Sequence, residues 1–264
     1  MARLGPQNPI EQGEGGHEAW LAAIVPCGAR RVAVETPPVP RDISAGARAA
    51  RRRDSPAVGT RTLLFPTDRV VGTLNRGAWD VERGPVLARG EVTVPDDRPL
   101  HLDVRPVAAV ERHGDQWSMH SSPDPVDLGF LERLPADAVQ RLALNSPLVA
   151  ESVGAVTHLA PGLRRLYLAS TMLTDAALPA VAALTGLTYL QTWGNKFTDA
   201  GVQQLANLVH LEHLYLEEES LTAAALDFVD QLPRLRRLGL QDLSISDEEL
   251  ARLRARLPEV GVAR

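Results

Sequence analysis

The sequence predicts an α/β fold, a solenoid in which each repeat supplies one short parallel strand and one helix, preceded by a small antiparallel β domain. Two observations predict the solenoid: leucines recur at a fixed spacing, and the apolar period changes from strand-like to helical inside each repeat. A third observation predicts the β domain, because short runs of β-branched residues alternate with turn-forming residues before the repeats begin.

The repeat is 24 residues long and is marked by Leu163, Leu187, Leu211 and Leu235. Further apolar residues recur 3, 5, 10, 15, 18 and 21 positions behind each of these leucines. Thr192 is the one polar exception, and Leu257 comes one residue late. Since the chain is 44% hydrophobic, chance alone would leave about half of these positions polar. The pattern predicts about five stacked repeats.

Each repeat divides into a strand and a helix. The opening L-x-x-L-x-L, as in "LRRLYL", alternates with period two, which predicts a strand with one buried face. The helix starts are predicted at Thr174, Thr198, Thr222 and Ser246. The acidic residues Asp175, Asp199 and Asp247 follow these caps, where they are expected to face the positive end of the helix dipole. Ser246 and Glu249 have the spacing of a capping box.

The repeats resemble the leucine-rich repeat superfamily. "LTDAAL" and "FTDAGV" are similar to the L-T-D-x-G-L variants of bacterial repeat proteins and of eukaryotic F-box adaptors, and the resemblance covers residues 139–262. It implies a leucine-rich repeat solenoid that serves as a binding surface. The asparagine usual at the ninth repeat position is present only as Asn195, while Thr171, Glu219 and Leu243 occupy it elsewhere. The turns are therefore expected to satisfy their backbone groups by other means.

The sequence divides into four predicted segments. Residues 1–60 lack a sustained period and predict a flexible N-terminal arm, and residues 62–122 predict the small β domain. Residues 125–138 predict an N-terminal capping helix, and residues 139–264 the solenoid, whose first repeat is degenerate. Within the β domain, "GEVTVPDDRPLHLDV" predicts a hairpin.

Composition limits the classes of partner. The net charge is −5 and the one basic run is "ARAARRRD" at 47–54, so no nucleic acid is expected. Cys27 is the only cysteine, which excludes a disulfide framework and favours a cytoplasmic protein. The apolar run at 19–29 is too short and too acidic in its flank for a secretion signal, and no stretch is long enough for a membrane span. Lys196 is the only lysine, which is typical of a GC-rich bacterial genome.

No enzyme motif stands out. The sequence has no nucleophile elbow, phosphate loop or dinucleotide fingerprint, so no catalytic residue and no cofactor is predicted. The histidines and carboxylates of the β domain are of the residue types that ligate metals. Their spacing brings no two histidines together on one element, so no metal is predicted. That set comprises His101, His113, His120, Asp103 and Asp115.

The variable positions of the repeat strands carry the best functional signal. If the strand leucines point inward, the residues between them line the concave face, and all three tyrosines of the chain fall there. The predicted partner-binding residues are Tyr167, Tyr189, Gln191, Trp193, His213, Tyr215, Glu217, Arg165 and Arg237. Tyrosine and tryptophan are common interface anchors, although strand propensity alone also places them on strands. Their side chains are expected to face solvent in the free protein.

Charge on this face suggests the partner's chemistry. Glu217, Glu218 and Glu219 border the aromatic residues, while Arg141, Arg165 and Arg237 lie at the ends, so the partner is expected to present basic groups near the middle. The function predicted is a non-enzymatic module that binds a protein or peptide on the concave strand face. The alternative is a small enzymatic or ligand-binding β domain whose substrate the repeats select, which requires a pocket lined by its histidines.

Overall fold

The structure is a computed structural model that describes residues 59–75, 86–113 and 116–264, with backbone alone for 108–113 and 116–121. The predicted arm at 1–60 lies outside these residues except for its last two positions, and so do Cys27 and the basic run at 47–54. In the part of the chain described, the sheet strands fall into an antiparallel group before residue 122 and a parallel group after it.

Twelve strands are present in the described ranges. The first six are β1 (Thr60–Leu64), β2 (Val70–Asn75), β3 (Val86–Leu87), β4 (Glu91–Pro95), β5 (His101–His113) and β6 (Gln116–Ser121). The repeats supply β7 (Arg141–Leu144), β8 (Arg165–Ala169), β9 (Tyr189–Trp193), β10 (His213–Glu217), β11 (Arg237–Gly239) and β12 (Gly261–Ala263).

The parallel strands stack with the register that the sequence period requires. Leu142, Leu166, Leu190, Leu214 and Leu238 lie side by side on β7 to β11, each 24 residues from the next. All five side chains are fully buried. The repeat period is therefore the structural repeat of a parallel α/β solenoid, in which each leucine packs against its own equivalents.

The helical side of the repeats is built from short turns. The α-helices are α1 (Leu178–Ala182), α2 (Asp199–Val202) and α3 (Asp247–Arg256). The 3₁₀ helices are Leu128–Arg133, Ala150–Leu159, Asp175–Ala177, Gln203–Asn207, Ala223–Leu226 and Val229–Gln231. The sequence predicts one regular helix per repeat. The last repeat has one, α3, whereas the others return through α-helical turns of four or five residues and 3₁₀ segments.

The predicted helix caps are present at three of four repeats. Thr198 accepts a hydrogen bond from the Gly201 N–H and Thr222 from the Ala224 N–H, whereas Thr174 makes no such bond. Ser246 and Glu249 form the predicted capping box.

The aspartates that follow the caps also link neighbouring repeats. The Asp175 carboxylate accepts bonds from the Thr198 N–H at 2.9 Å and its hydroxyl at 2.6 Å. Asp199 repeats this arrangement with Thr222, again at 2.9 and 2.6 Å. We call these two links the aspartate ladder. It stops where Ala223 replaces the aspartate, and there the Ser246 N–H donates to its own Glu249 instead, at 2.8 Å.

A second link between repeats joins Asn195 and Glu218. The Asn195 side chain donates to the carbonyls of Leu168 and Trp193 and to the Glu218 carboxylate, and it accepts from the Thr171 hydroxyl. The Asn195 N–H also donates to Glu218, at 2.6 Å. Asn195, the only asparagine at the ninth repeat position, thus binds the buried Glu218 of the next repeat. Glu218 comes one residue before Glu219, which occupies the ninth position there.

Four of the antiparallel strands, β2, β3, β5 and β6, continue the solenoid's sheet, while β1 and β4 form a separate two-stranded sheet. β5 pairs antiparallel with β2 and β6 on one side and parallel with β7 on the other. The buried side chains of both groups form one hydrophobic cluster. The predicted domain boundary near residue 122 stays a prediction, but neither the sheet nor the core is interrupted there.

The predicted hairpin between β4 and β5 is wrong. Both strands exist, but β4 pairs antiparallel with β1, and β5 pairs with β2. The predicted capping segment at 125–138 contains the 3₁₀ helix Leu128–Arg133, which Asp127 caps. Its apolar residues are all buried: Leu128, Phe130, Leu131 and Leu134. They cover the first repeat in place of a longer α-helix.

Candidate binding face on the parallel strands

The residues between the buried leucines lie on the opposite side of the sheet, which we call the strand face. Strand pairing sets them in rows across the repeats. The first row is His101, Arg141, Arg165, Tyr189, His213 and Arg237. The second row is Asp103, Ala143, Tyr167, Gln191, Tyr215 and Gly239. The third row includes Ala169, Trp193 and Glu217. The structure thus brings all nine predicted partner-binding residues onto adjacent strands.

Aromatic rings form a stack at the centre of the strand face. The ring centroids of Tyr167 and Tyr189 are 4.8 Å apart, and those of Tyr189 and Tyr215 are 5.4 Å apart. His213 stacks on Tyr189 at 5.9 Å. These separations are within the range of attractive ring contacts, so the stack holds its side chains in place.

The expectation that these side chains face solvent is wrong for four of them. Tyr167 is 3% exposed, Tyr189 5%, Gln191 7% and Glu217 9%. Mutual stacking contributes to this burial, because strands of one sheet lie only about 4.8 Å apart and large rings on neighbouring strands cover one another. Trp193, His213 and Tyr215 are half-buried, whereas Arg165 and Arg237 are exposed. The reachable surface is therefore the rim of the stack.

A chain of hydrogen bonds runs across the strands from the stack to an acidic residue. The Tyr189 hydroxyl donates to Gln191 Oε1 at 3.0 Å, and Gln191 Nε2 donates to Glu217 Oε1 at 3.0 Å. Burial raises the pKa of Tyr189, so the phenol stays a donor. Burial also raises the pKa of Glu217, against the lowering effect of the Gln191 bond, and the charges of Asp242 and Glu218 raise it further.

Glu217, Glu218 and Glu219 do not form one acidic patch. Glu217 lies on the strand face, Glu218 turns into the interior to bind Asn195, and Glu219 is exposed beyond the strand. Burial raises the pKa of Glu218, although its bonds with Asn195 lower it. The turn after the strand also differs here, because Ser170, Gly194 and Asp242, at the same offset as Glu218, have positive φ and Glu218 does not.

Strand β5 also carries Arg105, a functional candidate that the sequence analysis does not single out, beside His101 and Asp103. Asn145 Nδ2 donates to Asp103 Oδ1 at 2.7 Å, while Asn145 Oδ1 and Arg105 Nε are buried without a hydrogen-bond partner. Burial raises the pKa of Asp103, although Arg105 and the Asn145 bond lower it. Burial and then the charges of Arg141 and Arg165 lower the pKa of His101 to about 4.

The signal that points to these residues is alternation. "HLDVRP" places His101, Asp103 and Arg105 on one side of β5 and apolar residues on the other. The repeat period does not reveal this strand, since Leu102 pairs with Leu142 at a separation of 40 residues rather than 24.

The last repeat leaves room for the stack. A Cβ at Gly239 would lie 2.3 Å from Cδ1 of Tyr215, so the Tyr215 ring lies directly over this glycine. The Arg141 guanidinium lies over the Tyr167 ring at 4.4 Å, and that of Arg165 over Tyr189 at 5.8 Å. The strand face therefore ends in a glycine at one side of the stack and begins with arginines at the other.

Every parallel strand from β7 to β11 carries its leucine at the same place, at a constant step of 24 residues, and Asn195 bridges the turns as described. The second half of the chain is a leucine-rich repeat solenoid. The period, the parallel register and the one-sided leucine row establish this without reference to any relative.

Comparisons with known proteins place leucine-rich repeat proteins among its structural neighbours. A leucine-rich repeat protein of Leptospira interrogans is 24% identical with a TM-score of 0.35, over 51% of this chain and 32% of that one. Internalin C2 of Listeria monocytogenes is 23% identical with a TM-score of 0.36, over 52% and 65%. TLR13, in its complex with ssRNA13, is 21% identical with a TM-score of 0.35, over 50% and 19%.

The match therefore spans about half of this chain and less than two thirds of each of these proteins. No family model and no curated protein matches the sequence.

The enzymatic alternative depends on the histidines and carboxylates before residue 122, which the structure describes only in part. His101 lies beside Arg141, while the side chains of His113 and His120, and the whole of Asp115, fall outside the described residues. Within the described ranges, no group of three acidic, histidine or cysteine side chains is placed to hold a metal ion. None of the helices described has the length and apolar character needed to cross a bilayer. A shallow depression at the start of β10 and β11 is lined by charged residues, including Glu212 and Arg236.

Proposed function

We propose that this chain is a non-enzymatic interaction module that binds a protein or peptide on the strand face. One observation carries the proposal: five exposed or half-buried side chains lie in register on adjacent strands, beside buried stacked rings. The reachable side chains are Arg165, Trp193, His213, Tyr215 and Arg237.

The buried part of the strand face supports binding indirectly. Tyr167, Tyr189 and Gln191 contact one another and their neighbours, so they hold the rim residues in fixed positions. A surface that is ordered before binding loses less side-chain freedom when the partner arrives. Trp193 and Tyr215 then offer large rigid rings that can be desolvated by a partner, as interface anchors usually are.

The test is an affinity capture with the full chain as bait, read by mass spectrometry. Trp193→Ala with Arg237→Ala removes one ring and one charge from the rim without touching the buried rings. We expect this variant to lose the partner, with binding weakened about a hundredfold or more, and to melt at nearly the wild-type temperature.

The matched control is Gln204→Ala with Asn207→Ala on the opposite side of the repeat, where both side chains are exposed. The neighbouring Gln203 is left unchanged in this control, because its side-chain amide donates to the carbonyls of Asp199, Ala224 and Ala225 and its loss could affect stability. Capture that is unaffected by the rim variant, or lost equally in the control, contradicts the proposal.

A further inference from the structure

A large ring and a mostly buried carboxylate lie side by side on the strand face. We propose that Trp193 and Glu217, with Asp242 at the rim, hold an arginine side chain of the protein or peptide partner. This arginine site lies in the third row of the strand face, on β9 and β10, and it rests on the function proposed above.

Strand pairing places the ring and the carboxylate next to each other. Trp193 and Glu217 are direct partners in the pairing of β9 with β10, so their side chains leave neighbouring strands about 4.8 Å apart on the same face. Each is the last residue of its strand. Asp242 follows the next strand, β11, and its charge acts on the Glu217 carboxylate. The three side chains therefore lie close together at the C-terminal ends of neighbouring strands.

Glu217 carries its charge where hydration is poor. The residue is 9% exposed, and burial is the main cause of its raised pKa. The charges that raise this pKa further, those of Asp242 and Glu218, are both negative. Among the described residues, neither Glu217 nor Asp242 forms an ion pair with a basic side chain. A cation at this place would offset both the loss of hydration and the repulsion between carboxylates.

One oxygen of the Glu217 carboxylate has no donor in the described part of the chain. Gln191 Nε2 donates to Oε1, which orients the carboxylate, and no described group donates to Oε2. The fully enclosed side-chain atoms that lack a bond belong to other described residues, namely Arg105, Asn145 and Thr192. An N–H group of a partner can therefore reach Oε2, and it can reach the exposed Asp242 as well.

The Trp193 ring offers a surface on which a flat cation can stack. Elsewhere on the strand face, the Arg141 guanidinium lies 4.4 Å from the centre of the Tyr167 ring. The Arg165 guanidinium lies 5.8 Å from the centre of the Tyr189 ring. Trp193 is half-buried and makes no such contact with a described residue. Tryptophan is the ring that attracts a guanidinium most strongly, so a partner's arginine would repeat here a contact that the chain makes twice within itself.

An arginine suits this place better than a lysine. The guanidinium is planar, so one flat side can stack on the indole while the N–H groups at its edge donate to carboxylates. Its five N–H groups are enough to serve Glu217 and Asp242 together through charge-assisted hydrogen bonds. A lysine ammonium is a compact point charge that does not stack in this way. We therefore expect arginine to be preferred and lysine to bind more weakly.

A metal ion or a nucleic acid suits the arginine site less well. The described residues place no group of three acidic, histidine or cysteine side chains to hold a metal ion, and an indole ring supplies no ligand oxygen. A phosphate backbone would meet the carboxylates of Glu217 and Asp242 and be repelled by them. A cationic side chain is the ligand that the ring and both carboxylates attract.

The experiment selects binders from a random peptide library displayed on phage, with the full chain immobilised. We expect the enriched peptides to share an arginine. One enriched peptide, labelled with fluorescein, is then titrated by fluorescence anisotropy as selected, with that arginine replaced by lysine, and with it replaced by citrulline. Citrulline keeps the shape of the side chain but removes its charge, so this comparison requires no change in the protein.

The same peptides are titrated against Glu217→Gln and Asp242→Asn. Glu217→Gln keeps an oxygen that can accept the bond from Gln191, and Asp242→Asn introduces a residue that tolerates positive φ. Both variants are expected to melt near the wild-type temperature.

We expect citrulline to weaken binding to the wild type about tenfold or more, lysine to weaken it less, and Glu217→Gln to weaken binding of the selected peptide as citrulline does. Citrulline should cost little more in Glu217→Gln, because the charge that it would have met is already gone. The charge-matched control is Glu151→Gln with Asp227→Asn, both exposed and outside the parallel strands. This control should bind the selected peptide like the wild type.

Three outcomes overturn the arginine site: enriched peptides without a shared arginine, a citrulline peptide that binds like the selected one, or a control that weakens binding as much as Glu217→Gln. Calcium that displaces the peptide from the wild type but does not bind Glu217→Gln would indicate a metal site and also overturn it. If the variant with Trp193→Ala and Arg237→Ala loses the peptide while Glu217→Gln keeps it, the proposed function stands and the arginine site fails. If both variants keep it, or the library yields no binder, both fail.

Discussion

Leu190 and Leu214 show how one side chain can serve two repeats at once. Each is fully buried, and each pairs with its equivalents on the strands to either side. The transfer of such a side chain from water is only part of its contribution, because its removal also leaves a cavity between two repeats that cannot close around it.

Leu190→Ala and Leu214→Ala should each lower the free energy of unfolding by about 2–5 kcal/mol. Denaturant titration followed by circular dichroism measures this loss. Tyr189→Phe is a useful comparison, since it keeps the ring and removes one hydroxyl. A loss below about 1 kcal/mol at both leucines would show that the row is not packed as described.

His101 makes stability depend on pH in a predictable direction. The unfolded chain takes up a proton near pH 6.5, whereas the folded chain does so only near pH 4, because burial and the charges of Arg141 and Arg165 oppose it. Between these values the unfolded state binds more protons, so stability falls as the pH is lowered through this window.

His101→Gln removes that protonation. We expect the variant to gain stability relative to the wild type as the pH drops from about 7 to about 4.5, since only the wild type has the histidine penalty. The buried carboxylates Asp103, Glu217 and Glu218 have raised pKa values and act in the opposite direction, but they are common to both proteins. A stability difference that does not change with pH would contradict the assignment.

At the scale of the element, the helical side of the solenoid is held by side chains more than by helix length. α1 and α2 have five and four residues, too few to be stable alone. The aspartate ladder compensates, because each aspartate accepts hydrogen bonds from the N–H and the hydroxyl of the cap threonine in the next repeat. The Thr-Asp dipeptide of the repeat thus has two roles: the threonine caps its own helical turn, and the aspartate bonds to the threonine of the next repeat.

Asp199→Ala should separate these two roles. It removes both bonds to Thr222 while leaving the Thr198 cap intact, and we expect a loss of about 1–2 kcal/mol for the unpaired groups. Native-state hydrogen exchange at Thr222 measures the effect locally. Asp227→Ala, an exposed aspartate in the next repeat, serves as the control and should change little. Equal effects of the two substitutions would argue against the ladder.

At the scale of the described part of the molecule, β2, β3, β5 and β6 share one sheet with the repeats, and the buried side chains on both sides of residue 122 form one core. Leu102 of β5 is almost fully buried and pairs with Leu142 of the first repeat strand. A solenoid unfolds through its nearest-neighbour contacts, so a strand that seals one end influences every repeat behind it.

Leu102→Ala should therefore destabilise both groups of strands together, by about 2–5 kcal/mol. Hydrogen exchange read by mass spectrometry follows β2 and β9 separately. We expect both to lose protection to a similar extent. Loss confined to the strands before residue 122 would show that they form an independent unit, as the domain prediction from sequence has it.

Much of this architecture follows from periodicity. The 24-residue spacing identifies the strands β8 to β11, the buried leucines and the residues of the strand face, because a period reports which side of an element is apolar. It does not report how far a side chain is covered, and so the burial of Tyr189 escaped it. It also cannot reveal pairing outside the period: β4 joins β1, and β5 joins β7, through contacts that no local pattern encodes.

The bonds between Asn195 and Glu218 set a rule for how this chain can be shortened or lengthened. Deleting one repeat from a regular solenoid restores the same neighbours, so such genes grow and shrink one unit at a time. Removing residues 187–210 here would leave the buried Glu218 carboxylate without its Asn195 donors, and removing 211–234 would leave the Asn195 backbone N–H without its acceptor. We therefore expect these two repeats to tolerate removal only as a pair.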